Sequence, residues 1–203
     1  MTLPEGLVSC EDSLVRPTWA ATDLLLRDYY DTEWGSSVTS EQGVFERLVL
    51  ESFQSGLSWS TILKKRQAFR AAFASFIPEA VAAFTDQDRE RLMQDAGIVR
   101  NKRKIDAAIT NARAVIALRG ALAAEADAHR AGRMGEAPLT HLLRPRRSYP
   151  RHLGELVWLY QPSHQPRPRC AQEVPAQTEE SRALSLELKS RGFVFVGPVT
   201  ALA

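Results

Sequence analysis

Asp95-Ala96-Gly97-Ile98-Val99-Arg100-Asn101-Lys102-Arg103-Lys104 is the stretch on which the fold turns. Before it, Thr85 with Asp88 three residues on resembles a capping box, opening a helix that runs to Gln94. Gly97 breaks that helix. After it, Ile105, Ala108, Ile109, Ala112, Val115 and Ile116 recur at helical spacing, predicting a helix from about Asn101 to Leu122. Two helices are therefore joined by a short basic hairpin. The N–H groups of such a turn and helix start can point at one phosphate, and Gly97 lets the backbone come close. Arg100, Lys102, Arg103 and Lys104 add long-range attraction to a polyanion. The same residues also suit an ordinary turn beside a solvated basic face, and spacing alone leaves both readings open.

Moving toward the N-terminus, Val44, Phe45, Leu48, Val49 and Phe53 form an apolar stripe, with Ser40 as candidate N-cap and Gly56 closing the helix. A second helix is expected near Ser60, with Ile62, Phe69, Phe73 and Phe76 on one face. Pro78 suits the first turn of a short helix over 78–84. Upstream, a short helix over Thr22 to Tyr30 runs into Tyr29-Tyr30-Asp31-Thr32-Glu33-Trp34-Gly35, and residues 1–15 read as a flexible leader.

Toward the C-terminus the pattern weakens. Residues 126–151, rich in Ala, Arg, Gly and Pro, read as an inserted mobile stretch. A short helix is expected at 152–160. Pro162, Pro166, Pro168 and Pro175 make 161–177 irregular. A last helix is expected at 178–191, with acids first, bases last, and Gly192 as its stop. Phe193-Val194-Phe195-Val196 is the only candidate strand. The expected class is all-α.

Composition excludes little. Lys and Arg total 26 against 24 acids, a net charge of +2, so a nucleic-acid partner must be argued from local distribution. Cys10 and Cys170 lie far apart without metal-ligand spacing, which argues against a disulfide framework. No apolar run reads as long enough to span a membrane, and the first residues lack the pattern of a secretion signal. A cytoplasmic protein is expected.

Glu51 follows Val44 by seven residues and Leu48 by three, at the edge of its helix's apolar face. A half-buried carboxylate needs a cation or hydrogen bonds. Tyr29 and Trp34 precede it and Trp59 follows closely. Aromatic faces around a carboxylate can hold a flat cationic ring. Each also has a plainer reading: a structural ion pair for Glu51, core packing for the rings.

Taken together these segments resemble the DNA-3-methyladenine glycosylase I family. The resemblance rests on Tyr29 to Gly35, Glu51, and Gln54-Ser55-Gly56-Leu57-Ser58-Trp59-Ser60-Thr61-Ile62-Leu63-Lys64-Lys65-Arg66. It continues through Gln94 to Arg100, Lys104-Ile105, Asn111-Ala112-Arg113, His164-Gln165-Pro166 and Arg191 to Gly197. It implies a helix-hairpin-helix DNA glycosylase fold, with two helical lobes and a base pocket between them. The domain would cover residues 16–203, with residues 115–151 longer than the family usually has.

The implied activity is base-excision repair: hydrolysis of the N-glycosidic bond of 3-methyladenine in alkylated double-stranded DNA, by a monomer. Glu51 would contact the extruded base, Trp34 and Trp59 would wall the pocket, and Tyr29 would lie beside it. Gly56 and Leu57 would fill the gap in the duplex. Gly97, Ile98, Arg100 and Lys102 would grip the backbone. The alternatives are a catalytically impaired relative that still binds DNA, and a helical interaction module without a DNA role.

The departures concern a structural zinc. The resemblance implies ligands at a cysteine in the stretch that here reads Arg16-Pro17-Thr18-Trp19, at a histidine where Tyr30 stands, and at two further positions beyond Ala203. All four are expected to be missing, so no metal and no cofactor is expected. Leu26 stands in place of a pocket tyrosine.

Overall fold

The helices begin where a side-chain acceptor or a proline can serve the first turn. In the computed structural model, which describes residues 3–132, 149–164, 168–170 and 173–202, Asp23 caps α1 (Leu24–Thr32) and Ser40 caps α2 (Glu41–Gln54). Ser58 caps α3 (Trp59–Ala72), two residues earlier than the spacing suggested. Pro78 opens α4 (Pro78–Ala82), where its missing N–H costs nothing. Thr85 and Asp88 form the expected capping box of α5 (Asp86–Gln94), and Asn101 caps α6 (Lys102–Arg130). Later come α7 (Leu153–Trp158), α8 (Glu179–Ser190) with a Thr178–Ser181 box, and α9 (Pro198–Leu202).

The all-α expectation stands, with one addition. Part of the expected flexible leader, residues 1–15, joins Arg16 and Pro17 in an antiparallel ribbon of β1 (Leu7–Ser9) and β2 (Val15–Pro17), with Val8 opposite Arg16. Three-residue strands are too short to display alternation, so no periodic pattern marks them. The proposed strand at 193–196 is not one. Phe195 is left-handed, at φ 56°, and side chains take up the segment's polar backbone. Asn111 both donates to Val194 O (3.0 Å) and accepts from Val194 N (2.8 Å). Ser52 Oγ donates to Phe195 O (3.3 Å) and Ser185 Oγ to Val196 O (2.9 Å).

The apolar stripes converge on one continuous core. Phe53 meets Phe69 at 4.8 Å, Phe69 stacks on Phe73 at 6.1 Å, and Phe73 on Phe76 at 5.7 Å. Ile105, Ala108, Ile109, Ala112 and Val115 of α6 join them, but Ile116 points outward. That helix runs eight residues past the expected end at Leu122, because Ala-rich sequence sustains a helix even where packing no longer requires one. It is long and apolar enough to span a membrane by length and composition, contrary to the sequence reading. Half of its most apolar window is buried against the core, as in a central helix of a packed domain. Of the stretch expected to be inserted, residues 133–148 lie outside those described, as does Gln165-Pro166 of the C-terminal motif.

Candidate active site

Glu51 sits one turn before the end of α2. Its carboxylate is half-buried and makes no hydrogen bond or ion pair among the described residues. Burial alone pushes its pKa up to about 7. Tyr29 of α1 lies close enough to feel it: burial first, and then the Glu51 charge, push the phenol up. The Tyr29 ring meets the Trp59 ring at 5.6 Å, so α1 and the first turn of α3 face each other beside the carboxylate. Trp59 is partly buried, and its indole N–H is enclosed without a hydrogen-bond partner. A bare carboxylate and two rings thus share one place.

Trp34, expected as a wall of this slot, turns elsewhere. Its ring stacks on Tyr30 at 5.3 Å and meets Trp19 edge-on at 6.1 Å, and 55% of the residue is exposed. Leu26, in place of a pocket tyrosine, is buried and offers no polar group.

Arg66 closes the basic run Lys64-Lys65-Arg66. The structure makes it the keystone of the site's frame. Its guanidinium holds both oxygens of Glu33 (2.9 and 2.7 Å) and donates from Nε to Glu46 (2.8 Å). Arg70 adds a second bond to Glu46. The end of α1 is thereby tied to α2 and α3. Only an acid at position 33 in the aromatic run and an arginine in the run after Trp59 hinted at this.

The loop between α2 and α3 turns at Gly56, whose φ of +82° few other residues tolerate, and leaves Leu57 partly exposed. Both therefore stand at the surface, in the loop that follows the Glu51 helix.

The hairpin differs in detail from the sequence reading. The Gly97 N–H does not face outward: it donates to Asp95 Oδ1 at 2.7 Å. The space that glycine leaves is needed inside the protein, since an added Cβ would come within 2.9 Å of Ala68 Cβ. Ile98 is buried in the core, so only its backbone can border the hairpin's surface. Arg100 and Lys102 are exposed there, with Arg103 beside them. Lys104 is not: it is 8% exposed and directed inward.

At the positions where a zinc was implied, the side chains do not fit one. Arg16, 3% exposed, donates to both oxygens of Asp31 (2.8 and 2.6 Å) and to Asp12 (2.9 Å). These bonds raise the guanidinium's pKa, and the same contact holds Asp12 down at about 2. Pro17 of β2 stands at the implied cysteine position, and its side chain has no donor atom for a metal. Tyr30 is engaged by Trp34 and Trp19. Among the described residues no group of three or more His, Cys, Asp or Glu could hold a metal.

The sequence profile of the methyladenine glycosylase family matches residues 19–131 and 140–203. DNA-3-methyladenine glycosylase 1 of Escherichia coli strain K12 is 40% identical over 182 residues, 88% of this chain and 82% of that protein. The DNA-3-methyladenine glycosylase of Haemophilus influenzae is 34% identical over 191 residues, 93% and 88% of the two chains. The crystal structure of a 3-methyladenine DNA glycosylase I superposes with a TM-score of 0.71 at 35% identity, covering 91% of this chain and 87% of that one. Sequence, profile and fold agree: the chain belongs to the methyladenine glycosylase family.

Proposed function

We infer that the protein is a DNA-3-methyladenine glycosylase that removes the base from alkylated double-stranded DNA in base-excision repair. The observation that carries this reading is the unpaired, half-buried carboxylate of Glu51 beside the Tyr29–Trp59 ring pair. A protein gains nothing from such a group on its own. A flat cation entering the slot would relieve the cost.

Alkylation at N3 makes adenine that cation and weakens its bond to deoxyribose, so the lesion is already a good leaving group. The work left to the enzyme is to extrude the base, at a cost of a few kcal/mol of unstacking, and to hold it while water attacks the sugar. Glu51 accepts hydrogen bonds from the cationic base, and the two rings stack against it. Leu57 occupies the gap in the duplex, while Arg100 and Lys102 draw in the phosphates. Neutral adenine gains less from the same carboxylate, and selectivity follows from that difference.

The enzyme acts as a cytoplasmic monomer, without a structural zinc or other cofactor. The Arg16–Asp31–Asp12 ion pairs and the Trp19–Tyr30–Trp34 rings hold the N-terminal ribbon in its place.

Release of free base from methylated duplex DNA tests the proposal, with Glu51→Gln as the control expected to be slower. A folded protein that binds duplex DNA but frees no 3-methyladenine would instead be an impaired relative, and the reading would be lost.

A further inference from the structure

Lys104 is a charged residue that the proposed mechanism leaves without a task. Its ammonium sits inside the protein, donating to Phe53 O at 2.9 Å and Ser55 O at 2.6 Å. Those carbonyls end α2, where the helix dipole is negative and the last acceptors lack helical partners. Ser55 is also the first residue of the loop that carries Gly56 and Leu57. Lys104 itself belongs to the first turn of α6, directly after the hairpin, and its own N–H is fixed by the capping Asn101 (3.3 Å).

A second lysine makes the reverse connection. Lys65 of α3 donates to Ala96 O (2.9 Å) and Gly97 O (3.1 Å), the carbonyls of the hairpin turn. The loop at 55–58 is therefore joined to the hairpin from both sides. Its entry is held by a side chain from the helix after the hairpin. Its exit leads into the helix that holds the hairpin. Two surface segments about forty residues apart in sequence are locked in one relative position.

We propose that Lys104 is a positioning residue for base extrusion, holding the 55–58 loop in register with the 95–101 hairpin so that gap filling and backbone contact occur together. The ammonium supplies no attraction to phosphate, because it is enclosed and already bound to two carbonyls. It acts through Leu57. The inference rests on the reading of that loop as the gap-filling element.

The test uses the full chain on duplex DNA carrying a methylated base. Lys104→Met keeps the stem and removes the donors. Single-turnover base release is expected to fall by about tenfold or more, since small misplacements of a reacting group are costly. Duplex affinity should keep the wild-type salt dependence. In a Leu57→Ala background the same change should cost little further, because the element it positions is already gone.

A salt slope shallower by about 0.9 would make Lys104 a phosphate contact and overturn the proposal. Unchanged release, or effects of the two substitutions that multiply independently, would overturn it as well. If the Met variant melts below the assay temperature, Lys104→Gln, which retains a donor on a shorter stem, replaces it: a smaller fall in release is expected, and a fall of equal size in the Leu57→Ala background would overturn the proposal. A Leu57→Ala enzyme at wild-type rate would remove the loop reading itself, a failure seen before any Lys104 variant is made.

Discussion

Arg66 holds Glu33 with one guanidinium nitrogen shared between both carboxylate oxygens, at 2.9 and 2.7 Å, across thirty-three residues of chain. This contact fastens the C-terminal end of α1 to α3, and so fixes Tyr29 opposite Trp59. Through its Nε the same side chain neutralises Glu46, which is buried.

Replacing Arg66 by Met leaves Glu46 with Arg70 as its remaining partner. Breaking a buried pair from one side strands a charge, here partly compensated, so a loss of about 2–3 kcal/mol is expected in urea denaturation. Base release should fall too, as Tyr29 loses its support. A variant as stable as wild type would show the network to be ornamental.

Glu51 sets a pH dependence with a definite sign. Its folded pKa of about 7 lies above the ordinary 4.5, so between these values the folded state holds the extra proton. Stability therefore declines as pH rises through this window and levels off above about 7. Glu51→Gln removes the penalty, and at pH 8 the variant is expected to be more stable by up to about 3 kcal/mol. Base release by the wild type should rise with pH through the same range, as the carboxylate ionises, and the variant should be slow throughout. Parallel denaturation and release curves from pH 5 to about 8.5 check both halves.

The two tryptophans should separate. Trp59 stacks in the slot, so Trp59→Ala is expected to weaken binding of the methylated base by about tenfold to a hundredfold. Trp34 packs on Tyr30 and Trp19 instead, and Trp34→Ala should act mainly on thermal stability. Titration of free 3-methyladenine against each variant distinguishes them; equal losses would restore Trp34 to the slot.

On the hairpin surface, Arg100→Ala and Lys102→Ala should each lower the slope of log affinity against log salt by about 0.9, whatever the duplex sequence. A slope unmoved by either would leave the basic hairpin as a solvated turn.

The N-terminal ribbon offers a metal test. Dialysis of the protein against a chelator is expected to leave its melting curve and base release unchanged. Arg16→Ala should lower the melting temperature, because Asp12 and Asp31 lose the guanidinium between them. Chelator-induced unfolding would refute a zinc-free fold.

What the chain disclosed by itself was whatever is written within a few residues. Ser40 and Thr85 lie beside the amides they cap, and Ile62 and Phe69 share a face by helical geometry. Glu51 at the margin of an apolar stripe, with Tyr29 and Trp59 in reach, followed from the same local logic and from the resemblance. Tertiary structure alone decided how like residues divided their roles. Of four bases after the hairpin, Lys104 went inward and its neighbours stayed in water. Trp34 went to Tyr30 while Trp59 went to Tyr29, and Arg66 was taken from a basic run to bind two acids. Caps and stripes depend on neighbours three or four positions away. Partners twenty to eighty residues distant are set by how the helices pack, and no local pattern records that.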